Sequence, residues 1–143
     1  MRLVGTADPL VQALDAPPAV TVVGRVPEIV TELERADLVA VPIRFGSGTR
    51  VKILEAFSHR LPVVSTTMGA EGLGLEDGRH LLLADSPEDF ASACARLLTD
   101  RDLRVRLVDE AARRFHEQHR WDRSRKVVLD LADQHALPVA VAP

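Results

Sequence analysis

The sequence predicts an α/β fold in which a parallel sheet is covered by helices on both faces. Short runs of β-branched residues and leucine recur along the chain, and these runs are continuous rather than alternating with polar residues, as in strands buried on both faces. Helical patterns lie between the runs, an order that is typical of a doubly wound sheet. The 143 residues are 46% hydrophobic and carry a net charge of −3, so the chain can bury a core and is not of the disordered class.

Five runs are predicted to be strands. They share a continuous apolar character, and they are Leu3-Val4, Val20–Val23, Leu38–Val41, Val63–Thr66 and His80–Leu83. Because strands of this kind bury side chains on both faces, we expect them to lie in a sheet with helices above and below it.

Two helices are predicted between these strands. In Pro27–Arg35, apolar residues recur at helical spacing with glutamates outside the stripe, and a proline suits the first helical turn. In Arg50–Arg60, Val51 and Leu54 have the same spacing. Both segments connect consecutive strands, as the crossover helices of a parallel sheet do.

The chain is predicted to become helical after the fifth strand. Ser86 is a good N-cap residue, Pro87 suits the first helical position, and two acidic residues follow in the first turn. Two further helices are predicted over Asp102–His119 and Arg123–His135.

Composition excludes several classes of protein. A calculated pI of about 5.9 argues against a general nucleic-acid binder, which needs a basic surface. The one cysteine, Cys94, excludes a disulfide framework and a cysteine-based zinc site, and no apolar run is long enough to span a membrane. A reduced, cytoplasmic setting is the expectation. We expect one domain over residues 1–136 and a frayed tail over residues 137–143.

A glycine-rich segment between the third strand and the next helix is the candidate anion site. Gly46 and Gly48 let a backbone approach an anion closely, and Ser47 or Thr49 can cap the helix. Ligands of open α/β sheets bind outside the carboxyl ends of the strands, and the N-terminus of a helix favours phosphate. From spacing alone, a plain glycine-rich turn before a capped helix remains an equal alternative.

Charged side chains follow the two glycines. Arg50 and Lys52 add positive charge beside the helix start, and Glu55 can accept hydrogen bonds from the vicinal hydroxyls of a ribose. The segment is not a Walker loop, and it is not the dinucleotide fingerprint because Val51 stands where the third glycine belongs.

Several segments together resemble the C-terminal domain of GT-B glycosyltransferases, group 1 (family 4). They are Gly46–Ala56, Leu61–Thr67, Gly69–Gly72, Asp77-Gly78 with His80–Ala84, and Trp121-Asp122. The resemblance extends over residues 3–125 and implies a Rossmann-like parallel sheet. It also implies part of a retaining enzyme that transfers a hexose from a nucleotide-diphosphate sugar to a saccharide or lipid acceptor. Neither a cofactor nor a metal ion is expected.

The resemblance assigns roles position by position. Glu55 matches the acid that holds the donor ribose, and Arg25 and Val26 match the segment that lines the base. The residues implied to meet the donor diphosphate are Gly48, Thr49, Arg50, Val51 and Lys52. Ser47 stands where the family has a glutamate that contacts the donor sugar, and Glu71 is a further candidate for a role on the donor-sugar or acceptor side.

The resemblance also implies that parts of the enzyme are missing. The N-terminal domain, which supplies the acceptor site, has no counterpart here, and neither has the first strand-helix unit of the C-terminal domain. We therefore expect this piece to transfer no sugar by itself, and peripheral membrane association to belong only to the whole enzyme. The strand at Leu3 must then pair with Leu38–Pro42, or the exposed sheet edges must pair in a homodimer, and the homodimer is the expectation. A non-catalytic, Rossmann-like interaction module is the alternative function.

Overall fold

The structure, a computed structural model, describes residues 1–46, 48 and 50–118 of the chain. Contacts within the chain group it into two compact units, Met1–Arg35 (the first unit) and a second unit that begins at Ala36. No helix in the described ranges is both long enough and apolar enough to cross a membrane.

The first unit contains two strands and two short helices. In chain order they are β1 (Arg2–Val4), α1 (Pro9–Gln12), β2 (Thr21–Gly24) and α2 (Val30–Leu33). β1 and β2 pair in parallel, with Arg2 opposite Thr21. The Asp8 carboxylate caps α1 by accepting a hydrogen bond from the backbone N–H of Val11 at 2.9 Å.

The second unit contains three strands and four helices. In chain order they are β3 (Val39–Val41), α3 (Val51–Ser58), β4 (Val63–Ser65), α4 (Thr67–Ala70), β5 (Leu82–Leu83), α5 (Pro87–Thr99) and α6 (Arg101–Gln118). The strands form a parallel sheet in the order β3-β4-β5. Since parallel neighbours need crossover connections, α3 runs between β3 and β4.

Two clusters of buried side chains lie against the strands of the second unit. Val63 belongs to a cluster that contains Phe57 of α3, while its neighbour Val64 belongs to another that contains Leu97 of α5. Successive residues of a strand point to opposite faces, so both faces of this sheet are covered by helices. α6 contributes to both clusters, with Ala111 in the first. The predicted α/β class with parallel strands and helices on both faces is confirmed.

The predicted helix over Pro27–Arg35 is wrong in its extent. α2 covers only Val30–Leu33, and the proline precedes the helix instead of opening it. Leu33 is the one residue of α2 that is buried, so only a single turn packs against the rest of the unit. Helices in proteins are stabilised mainly by packing of an apolar face, which explains why this one is short.

Of the two alternatives for the strand at Leu3, the pairing with Leu38–Pro42 is wrong. β1 pairs with β2 and β3 pairs with β4, so the described strands form two separate sheets instead of one. Ala40 is exposed in the middle of β3, although its apolar neighbours are typical of a strand buried on both sides.

The C-terminal helices agree with the sequence pattern. Ser86 caps α5 by accepting a hydrogen bond from the N–H of Asp89 at 3.1 Å, and Pro87 opens the helix. Cys94 is partly buried against the second cluster, and burial raises the pKa of its thiol. The predicted helix over Arg123–His135, the tail and Trp121 lie outside the described residues.

Candidate active site at the carboxyl ends of the strands

The loop that follows β3 contains two glycines in a backbone conformation that other residues rarely adopt. Gly46 has φ of +123° and Gly48 has φ of +106°. A Cβ placed on either glycine would meet nothing within 4 Å, so the requirement is for backbone conformation and not for space. Ser47 and Thr49, which alternate with these glycines, lie outside the described residues.

Arg50 occupies the N-cap position of α3, where Ser47 or Thr49 was expected. Only 7% of its side-chain surface is exposed. Its Nη2 makes two long contacts, 3.5 Å to the carbonyl oxygen of Gly46 and 3.4 Å to Oε2 of Glu71. Its Nε is buried and has no hydrogen-bond partner among the residues that the structure describes. A guanidinium has five N–H donors, so this buried cation is poorly satisfied.

Glu71 reaches Arg50 from the neighbouring connection. It is the C-cap residue of α4, the short helix that follows β4, and 70% of its side-chain surface is exposed. The carboxyl ends of adjacent parallel strands meet at one edge of a sheet, so the loop after β3 and the end of α4 lie side by side. We call this group of loops the carboxyl edge; it comprises the segments that follow β3, β4 and β5.

Hydroxyl side chains at the end of β4 fix α4 against the loop that follows β3. Thr66 donates a hydrogen bond from Oγ1 to the carbonyl oxygen of Ile43, and the same oxygen accepts one from the N–H of Gly69 at 3.0 Å. Ser65 is fully buried and donates to the carbonyl oxygen of Thr66 at 2.9 Å. None of these positioning residues was predicted; a Ser-Thr-Thr run directly after a buried strand is the sequence feature that could have indicated them.

A second acidic residue at the carboxyl edge has a structural role. Asp85 follows β5 and accepts hydrogen bonds from the N–H and Oγ1 of Thr67, at 2.8 Å and 2.7 Å. These two bonds, with a weaker contribution from the charge of Arg44, lower the pKa of the Asp85 carboxyl. Since both of its oxygens hold the start of α4, Asp85 is engaged within the fold.

The remaining predicted residues of α3 lie where a ligand can reach them. Val51 and Lys52, in the first turn, are exposed, and Glu55 is partly buried one turn further on. The free N–H groups of the first turn favour a negative charge at this end of the helix. The structure therefore brings Arg50 and Glu71 into contact and places Glu55 on the helix that Arg50 opens.

The residues predicted to line the base belong to the first unit. Arg25 is exposed and Val26 is partly buried, directly after β2. Their assignment to a nucleotide base stays a prediction.

Comparison with known proteins decides the family. Residues 1–100 match the model of the family described as glycosyl transferases group 1. The chain belongs to this family. The recognition made from the glycine-rich loop and the segments that follow it is thereby confirmed, and so is the Rossmann-like architecture of a GT-B C-terminal half.

Curated relatives of this group 1 glycosyl transferase chain are much longer than the chain itself. A D-inositol 3-phosphate glycosyltransferase of Corynebacterium jeikeium is 31% identical over 109 residues, which are 75% of this chain and 26% of that protein. A probable sucrose-phosphate synthase of Thermosipho melanesiensis is 30% identical over 82 residues, 57% of this chain and 19% of that protein.

Solved structures share the fold of this group 1 glycosyl transferase chain. The Anabaena protein HepE, crystallised in complex with UDP and glucose, superposes with a TM-score of 0.80 at 18% identity, over 92% of this chain and 39% of its own. The sucrose-phosphate synthase of Thermosynechococcus elongatus superposes with a TM-score of 0.77 at 22% identity, over 93% of this chain and 37% of its own. At these identities the likeness concerns the fold.

Proposed function

We propose that this chain is the nucleotide-sugar binding part of a retaining glycosyltransferase that transfers a hexose to a saccharide or lipid acceptor. The observation that carries the proposal is Arg50 at the N-terminus of α3, a buried cation whose Nε has no hydrogen-bond partner in the part of the chain that the structure describes. Its ion pair with Glu71 is long, at 3.4 Å, and Glu71 is mostly exposed. A buried charge that is so poorly paired is costly to the fold, so an anion is the natural ligand of this place. The diphosphate of a nucleotide sugar is such an anion.

The proposed chemistry is positioning and stabilisation of the leaving diphosphate. Negative charge develops on that group as the bond to the sugar breaks, and donors fixed beforehand stabilise it without reorganising. Arg50 and the N–H groups of the first turn of α3 are such donors, with Gly48 and Thr49 in the preceding loop and Lys52 at the exposed rim. In this proposal Glu55 holds the donor ribose, and no metal ion takes part.

Titration of the chain with UDP, GDP, ADP and dTDP, in buffer containing EDTA, tests the proposal. A ligand that binds only the folded state raises the melting temperature, so one of the four is expected to do so, and calorimetry then gives its affinity. If none of them binds, the proposed function is wrong. Binding that requires Mg²⁺ would contradict only the metal-independent part.

An Arg50→Met variant makes this test specific. Replacing a buried, poorly paired charge by an apolar side chain of similar length is often neutral or stabilising, so the melting temperature without ligand should not fall. Nucleotide affinity should fall by about ten- to a hundredfold, because charge-assisted hydrogen bonds to the phosphate are lost. Arg101→Met, at an exposed arginine of α6, is the matched control and should leave binding unchanged. Equal affinities for the Arg50 variant and the unchanged chain would contradict the proposed anion site.

The alternative function, a non-catalytic interaction module, has one observation in its favour. Ala40 is exposed in the middle of an apolar strand that lies at the end of its sheet, and such an edge can pair with another chain. Nucleotide binding discriminates between the two functions, since an interaction module has no need of it.

A further inference from the structure

The contact between Arg50 and Glu71 contributes little to the folding of the carboxyl edge, because other hydrogen bonds already hold α4 in place. α4 is held by Thr66 at its start and by Asp85 through Thr67. The contact of 3.4 Å is long for a charge-assisted hydrogen bond, and an ion pair with one exposed partner contributes little to stability.

Glu71 therefore has a carboxylate that can accept further hydrogen bonds, and it lies beside the poorly paired guanidinium of Arg50. Asp85, the acidic residue that follows β5, differs from Glu71 because both of its carboxylate oxygens accept hydrogen bonds from Thr67. Among the described residues, Glu71 has one long contact, to the buried Arg50, and most of its side chain is open to solvent. Arg50 limits where the carboxylate can lie while leaving its remaining lone pairs free to accept hydrogen bonds.

The proposed donor brings hydroxyl groups to this place. In a nucleotide sugar the sugar is bonded directly to the diphosphate, so a diphosphate that binds at Arg50 carries the sugar hydroxyls alongside it. Carboxylates accept hydrogen bonds from vicinal hydroxyls well, and the charge makes these bonds stronger than neutral ones. Glu71, at the end of α4, is the acid in contact with Arg50 among the residues that the structure describes.

We propose that Glu71, positioned by the guanidinium of Arg50, accepts hydrogen bonds from the sugar hydroxyls of the donor and discriminates between sugars. This inference rests on the proposed function, because it needs the diphosphate at Arg50. A different role for Glu71 is that of an internal counterion which the diphosphate displaces. The two roles predict opposite effects on the binding of the nucleoside diphosphate alone.

The test compares nucleoside diphosphates with their sugar esters on Glu71→Gln and Glu71→Ala variants. UDP, GDP, ADP and dTDP and their glucose, galactose and mannose esters are titrated by calorimetry against the unchanged chain and each variant. We expect the affinity for the diphosphate alone to change by less than about threefold, and the affinity for the preferred sugar ester to fall by about tenfold or more. The differences in affinity among the glucose, galactose and mannose esters should become smaller as well. Glu88→Gln, at an exposed acid in the first turn of α5, is the matched control and should change neither affinity.

Five outcomes overturn the inference. A similar loss for the diphosphate and its ester means that Glu71 supports the phosphate site and does not read the sugar. Tighter binding of both identifies the displaced counterion. Unchanged binding of both, or no gain from any sugar in the unchanged chain, means that Glu71 makes no sugar contact. If the unchanged chain binds no nucleotide at all, the proposed function fails and this inference fails with it, a result that differs from the other four.

Discussion

The burial of the Arg50 guanidinium is unfavourable for the stability of the fold, while in the proposed function it favours the binding of an anion. Removing a guanidinium from water is unfavourable unless good partners replace the lost hydration, and its contacts to Gly46 and Glu71 are both long. In the proposed function, Arg50 stabilises the bound diphosphate more than it stabilises the fold without ligand. Groups of this kind concentrate at functional sites, where the local rule of a satisfied interior is broken for the sake of a ligand.

Glu55→Ala should weaken nucleotide binding and leave the fold intact. Alanine is the best helix former, and Glu55 is only partly buried on α3, so the melting temperature should change little. Loss of two charge-assisted hydrogen bonds to a ribose, about 1.5–3 kcal/mol in total, lowers affinity by about ten- to a hundredfold. Calorimetry with the nucleotide that binds is the measurement, and Glu88→Ala serves as a control. An unchanged affinity would contradict the assignment of Glu55 to the ribose, and it would not contradict the proposed anion site at Arg50.

His80 should make stability depend on pH below neutrality. The side chain is 4% exposed, and its Nδ1 accepts a hydrogen bond from the N–H of Glu76 at 3.0 Å. Burial lowers the pKa of His80, and the charges of Arg79 and Arg114 lower it further, while Glu76 and Glu110 oppose the shift. The unfolded chain therefore takes up a proton at a higher pH than the folded chain. Stability is full above the ordinary histidine pKa of about 6.5 and is lost as the pH falls below it.

Denaturant unfolding at about pH 7 and about pH 5 measures this dependence. His80→Gln keeps a neutral acceptor at all pH values, so its free energy of unfolding should fall less over this interval than that of the unchanged chain. Parallel pH profiles for the two proteins would show that His80 does not contribute.

Some residue roles could be predicted from the sequence, whereas others depend on how the elements pack against each other. Gly46 and Gly48 could be singled out from the sequence because glycine permits backbone conformations that other residues rarely adopt, and both have a positive φ. Their close approach to an anion stays a prediction. Arg50 was expected to add charge near the helix start, but its burial and its contact with Glu71 depend on how α4 lies beside the loop after β3. No spacing rule brings residues 50 and 71 together; the parallel order of β3 and β4 does.

At the scale of elements, α4 depends on a glycine. A Cβ on Gly69 would lie 2.5 Å from Oγ of Ser65 and 3.0 Å from the carbonyl oxygen of Val41. The second contact is with backbone, which cannot turn away, so Gly69→Ala should destabilise the chain by about 1–3 kcal/mol. Thermal and urea unfolding measure the change. Met68→Ala, at a partly exposed neighbour in the same helix, is the control, and equal stabilities of the two variants would show that α4 shifts without penalty.

Whether an element could be predicted depended on its length and its packing. The five strands were found because continuous apolar runs mark them, and α5 and α6 were found because longer helices repeat their apolar face. α1 and α4 were missed because four residues make a single turn, too short to show a period. The helix at Pro27–Arg35 was drawn too long because its apolar spacing exceeds the part that packs, of which only Leu33 is buried.

At the scale of the molecule, the free edge of β3 should cause self-association. The N–H of Val39 donates to Pro62 and the carbonyl oxygen of Val41 accepts from Thr66, so the intervening backbone groups of Ala40 point away from β4. No described strand pairs with that side of β3. Edges with unpaired groups readily pair with another chain, and we expect a homodimer at micromolar concentration.

Ala40→Pro distinguishes this edge from other causes of association. Proline removes an N–H that β4 does not use, and edge strands tolerate it, so the variant should fold and become monomeric. Ala40→Ser keeps the N–H and should still dimerise. Light scattering and sedimentation give the masses. A monomeric unchanged chain whose amides near Leu38–Val41 resist hydrogen exchange would contradict dimerisation, since it would mean that the edge closes within one molecule.

The pairing order of the strands also bears on how the chain folds. β1 pairs with β2, β3 with β4 and β4 with β5, so every described strand pair joins strands that are consecutive in the chain. The loops closed on pairing are therefore short, the loop-closure entropy is small, and the contact order is low for a parallel sheet. Each strand pair can therefore form soon after its second strand has left the ribosome, without waiting for the rest of the chain. Among the described strands, none has to stay unpaired during synthesis until a partner from a distant part of the chain has been made.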